Sequence, residues 1–129
     1  MTRTDFELMQ GKWREVSHER DGEAHFEEEQ GWQPVTRIHG NAFEVTISDG
    51  SVVLVGTFEL FESQTPKAID WHDVSGPYAS DHLIRAIYEV TETSFVFCAA
   101  YNGGDRPTQL KSAPGLVVRR MERVSFGRN

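Results

Sequence analysis

Ser94-Phe95-Val96-Phe97-Cys98-Ala99-Ala100-Tyr101-Asn102-Gly103-Gly104 is the stretch on which the fold turns. Its β-branched, aromatic and small residues favour an extended strand, whose successive side chains point to opposite faces. Phe95, Phe97, Ala99 and Tyr101 therefore share one face, and Val96, Cys98 and Ala100 share the other. Alternation alone leaves open which face is inside. Asn102-Gly103-Gly104 then supplies the residues that tolerate positive φ where a strand must turn.

Outward from this strand the same pattern recurs. Runs of β-branched and aromatic residues between Gly, Pro, Asn and Asp clusters predict strands near 12–19, 35–40, 42–48, 52–61, 67–73, 82–90, 94–101 and 116–124. Asp49-Gly50 marks a hairpin, and Pro66 separates the fourth strand from the fifth. Sequence neighbours are thus expected to pair. Between Trp71 and Leu83 a longer connection with Gly76-Pro77 is a candidate mouth loop. One helix is expected, over His25 to Trp32, where Glu27, Glu28 and Glu29 favour helix and Gly31 stops it. An open up-and-down sheet of about eight strands would leave two bare edges. Closure removes them, giving an all-β antiparallel barrel whose interior holds side chains or one small ligand.

The 129 residues fit one domain, spanning 1–129 with its core over about 8–124. The net charge of −7, from 20 acids against 13 bases, repels phosphate backbones and anionic headgroups, which argues against nucleic-acid and membrane partners. Thr2 to Arg14 has no apolar h-region, so a cytoplasmic location is expected. Cys98 is the single cysteine, which leaves no internal disulfide and no CxxC motif. Mid-strand, it reads as a small buried hydrophobe.

Gly11-Lys12-Trp13 looks like the Gly-x-Trp signature of lipocalins and related calycins. Gly56-Thr57-Phe58-Glu59-Leu60, Pro66-Lys67-Ala68-Ile69-Asp70, Ile87-Tyr88-Glu89 and Arg106-Pro107-Thr108 follow in order. With these, the chain resembles, from about Leu8 to Val124, a lipocalin-like bacterial family abundant in planctomycetes. The resemblance implies a barrel in which Trp13 closes one end beneath an arginine of the last strand, with Arg119, Arg120 and Arg123 available. It implies no activity or cofactor, and function has to be argued from the site.

Asp70 and His72 point to one face of a strand, close enough for a carboxylate to raise an imidazole into the general acid–base range, with Asp73 beside them. Capping a loop, or pairing Asp70 with Arg106, explains the same carboxylate structurally. The five histidines show neither His-x-His nor His-x3-His spacing, and no metal or cofactor is expected. Trp32, Trp71, Tyr88 and Tyr101 suit a pocket for a flat apolar ligand, and they would equally fill a packed core. The Arg106 guanidinium could add a carboxylate contact.

Three functions follow from these readings. The first is binding of a small apolar or aromatic ligand in the barrel. The second is an enzyme using Asp70, His72 and Tyr88 for proton transfer or cyclisation. The third is an inhibitor- or immunity-type module that meets a basic partner. The chain is expected to act as a monomer or a homodimer.

Overall fold

Thr4 accepts a hydrogen bond from the Glu7 N–H at 3.1 Å, and the Glu7 carboxylate accepts one from the Thr4 N–H at 2.9 Å. This capping box starts α1 (Asp5–Met9). The computed structural model describes residues 3–26 and 33–125. The helix expected over 25–32 is not borne out at its start: residues 25 and 26 end a strand, and 27–32, including Trp32, lie outside the described residues. The Thr4-x-x-Glu7 spacing was the sequence signal for the helix that is present.

Among the described residues nine strands follow: β1 (Gly11–Arg20), β2 (Glu23–Phe26), β3 (Val35–His39), β4 (Ala42–Thr46), β5 (Val52–Phe61), β6 (Ala68–Ser75), β7 (Ile84–Val90), β8 (Ser94–Ala100) and β9 (Leu116–Ser125). All pairings are antiparallel, and β3 to β9 run in sequence order. β1 pairs along one edge with β9 from Lys12 to Arg20. Its other edge is divided between β3, at Gly11–Arg14, and β2, at Ser17–Arg20. β1 and β3 to β9 thus close a lipocalin-like eight-stranded barrel, with β2 as an added arm.

The interior belongs to the Phe95, Phe97, Ala99 and Tyr101 face, because Phe95 and Ala99 join the core with Trp13, Phe58, Trp71 and Met121. A bulge in β1 then alters what enters the barrel. Glu15 pairs with Met121, but the next partners are Ser17 with Arg120 and His18 with Arg119. The extra residue, Val16, is left 40% exposed. Before the bulge odd-numbered residues face inward; after it His18 and Arg20 do, opposite Arg119 and Val117. Gly56 is needed on β5 because a Cβ there would lie 2.3 Å from the His72 carbonyl and 2.7 Å from the Phe43 ring.

α1 seals one end. Met9 and Trp13 are fully buried, and the Trp13 indole N–H donates to the Met9 carbonyl at 2.8 Å. Of the three arginines on β9, Arg123 is the one over Trp13, with Cζ 4.2 Å from the ring. Its guanidinium also donates to the Leu8 and Gln10 carbonyls, holding the helix end down. Asp5 reaches inward, where Lys67 Nζ lies 2.9 Å and the Tyr88 hydroxyl 2.8 Å from its carboxylate. Burial, then the Asp5 carboxylate, push the Tyr88 phenol far above its ordinary pKa, so Tyr88 is a permanent donor here.

Outside the barrel, the connection over 101–115 covers Ile87, Cys98 and Val118 with Leu110. The Cys98 thiol points to the Lys111 carbonyl at 3.6 Å, and burial raises its pKa. From the same connection Arg106 pairs with Asp70 at 2.7 Å and donates to the Ala86 carbonyl at 2.9 Å. Among the described residues no helix is long and apolar enough to cross a membrane.

Candidate functional site: a cavity at the open end

Opposite α1 the barrel interior widens into a cavity of about 330 Å3, near the lower end of volumes that hold a small ligand. Its inner part is aromatic. Trp71 of β6 sits 5.0 Å from Phe43 in an edge-on contact and 5.1 Å from Phe97. On the side toward α1, Trp71 packs against Phe58 and Phe95. Only 6% exposed, Trp71 has an indole N–H with no hydrogen-bond partner among the described residues. An unmet buried donor costs about 1–3 kcal/mol.

The polar lining is provided by β1, β6 and β9. Glu15, 5% exposed, accepts from Arg119 Nη1 at 3.1 and 3.2 Å, and His18 Nδ1 lies 3.7 Å from the same carboxylate. At the mouth Arg20 stacks over Tyr101 with Cζ 4.5 Å from the ring. The Tyr101 hydroxyl donates to Asp21 at 2.8 Å, and the Gly115 N–H donates to that carboxylate at 2.9 Å. The Gly115 N–H, then Tyr101, lower the Asp21 pKa.

The connection between β6 and β7 forms the other side of the mouth, as the Gly76-Pro77 stretch suggests. Tyr78 N–H donates to the Val53 carbonyl at 3.1 Å, and Ser80 N–H donates to Asp73 at 2.9 Å. Burial raises the Asp73 pKa, partly opposed by the Ser80 N–H and by His72. The folded state therefore holds this proton more tightly than the unfolded chain, and stability falls as pH rises from about 4 through the raised value. Asp73→Asn keeps an acceptor for Ser80 and removes that penalty. Its Tm is expected to match or exceed wild type at pH 8, with the gap closing toward pH 4. A lower Tm for the variant at pH 8 would show that the ionised form is the stabilising one.

The structure brings together Trp71, Tyr101 and Arg119, all of which line this cavity. Tyr88 faces inward but lies at the sealed end on Asp5, so it is placed in the core and not in the cavity. Arg106 is drawn to the outer wall by Asp70 and the β6 and β7 carbonyls. Asp70 and His72 also face outward, across from Glu59 and Thr57. The barrel wall therefore separates them from Tyr88, and the three do not form one constellation. Arg120 is exposed on the outside, and Trp32 lies outside the described residues.

Glu15 and Arg20 are the charged lining residues that sequence reading missed. Regular alternation puts only Glu15 on the Trp13 face, and the bulge at Val16 brings Arg20 onto it. Among the described residues no three His, Cys, Asp or Glu side chains gather as a metal would require. No family model, no curated protein and no solved structure matches the chain.

Proposed function

We propose that the protein binds one small, largely apolar or aromatic molecule inside the open end of its barrel. The observation that carries this reading is the cavity of about 330 Å3 at the open end, walled by the Phe43, Trp71 and Phe97 rings. A flat ligand would cover the Phe43, Trp71 and Phe97 rings. The lipocalin-like resemblance carried by Gly11-Lys12-Trp13 agrees with this use of the fold.

Native mass spectrometry on protein purified without denaturation, with a thermal-shift screen of flat aromatics, fatty acids and amines, tests the proposal. The expected result is a retained mass or a saturable rise in Tm for aromatic compounds, since a ligand that binds only the folded state stabilises it by mass action. Ala99→Phe, which places a ring on the cavity wall between Phe97 and Tyr101, is expected to abolish the rise. A clean apo mass with no shift from any compound would remove the proposal.

A further inference from the structure

Resting on that ligand-binding reading, we infer that the ligand is an aromatic acid, its ring system against Phe43, Trp71 and Phe97 and its anionic group at Arg20 and Arg119 near the mouth. The lining contains two acids and two bases, yet these are unequally occupied. Both Glu15 oxygens already accept from Arg119. Asp73 already accepts from Ser80, and its burial favours the neutral form. Three of the four carboxylate oxygens in the lining are thus engaged within the protein.

The donors are not. Arg119 uses only Nη1 on Glu15, leaving Nε and Nη2 of its planar fork. Arg20 has no carboxylate within ion-pair distance among the described residues, because neighbouring Asp21 is engaged by Tyr101 and Gly115. The cavity thus offers two guanidinium groups with unused capacity beside an aromatic wall. An amine would find no vacant carboxylate of comparable burial. A neutral arene would leave both guanidinium groups unused. The net charge of −7 acts over the whole surface and is screened within about 8 Å at physiological salt, so local donors decide the binding.

The test compares two probes with the same ring system, anilinonaphthalene sulfonate and the neutral N-phenylnaphthylamine, by fluorescence titration and calorimetry at pH 7. We expect one-to-one binding of both, with the sulfonate at least about tenfold tighter, as charge-assisted hydrogen bonds allow. Arg20→Gln, and separately the double variant Glu15→Gln with Arg119→Gln, should each reduce that preference severalfold. Affinity for the neutral probe should change by less than about twofold. The double variant removes both members of the buried pair, which avoids stranding a charge. Equal affinity of the two probes, or a preference that survives in both variants, overturns the aromatic-acid inference while leaving the binding site. Failure of both probes to bind overturns the inference together with the ligand-binding reading beneath it.

Discussion

Trp13→Ala is expected to lower the melting temperature by roughly 10–20 °C, the largest effect of any single truncation in this barrel. The side chain is fully buried, packs edge-on to Phe95 at 5.6 Å, lies under the Arg123 guanidinium and holds the Met9 carbonyl. Its loss leaves a cavity, an unmet carbonyl and a cation without its platform. Truncation of a buried large aromatic costs about 3–5 kcal/mol. Trp13→Phe keeps a ring but not the N–H, and should recover more than half of that loss. Calorimetric melting checks both variants, and a loss below about 1 kcal/mol for Trp13→Ala would mean that α1 does not depend on this contact.

The second large effect is expected at the Glu15–Arg119 pair, and it should be asymmetric. Arg119→Ala removes the guanidinium that donates to both oxygens of a carboxylate only 5% exposed, a loss of about 3 kcal/mol. Adding Glu15→Gln should restore most of it, because a neutral amide is far less costly to bury than a carboxylate that has lost this cation. Chemical denaturation of the two single variants and the double variant yields the coupling directly. Strict additivity would show that the two side chains do not act as a pair. The same pair holds one of the guanidinium groups assigned to the ligand, so the stability cycle also indicates which variants can be used for binding.

The strand pattern was legible because the barrel wall has an apolar inside and a mostly polar outside, which writes a period of two into β4 and, with Ile87 as the exception, β7. Asp49-Gly50 was legible as a hairpin for a related reason: Gly50 adopts φ +86°, which side chains with a Cβ rarely accept. α1 was not anticipated because it is only five residues long and owes its stability to tertiary contacts, whereas helix propensity drew attention to Glu27 to Glu29, outside the described residues. Thr4 and Glu7 announced its cap, but nothing local announced that Met9 and Asp5 would plug a barrel.

The residues of the cavity divide along the same line. Trp71 and Tyr101 were legible as aromatic strand residues. Arg106 and Tyr88 belong to similar segments, yet one is held outside by Asp70 and the other in the sealed end by Asp5. A residue's type marks it as able to bind; its level along the barrel axis decides whether it meets the cavity.

By itself the sequence determined that the chain is all-β, about where its strands run and which residues share a face, because these depend on backbone sterics and on alternation between neighbouring residues. Only the tertiary structure decided that β1 closes on β9, that the Phe95 face is the interior, and that the bulge at Val16 brings Arg20 inward. Those outcomes depend on pairing between strands some hundred residues apart, where register is set by the whole closed sheet and one extra residue exchanges the inside for the outside.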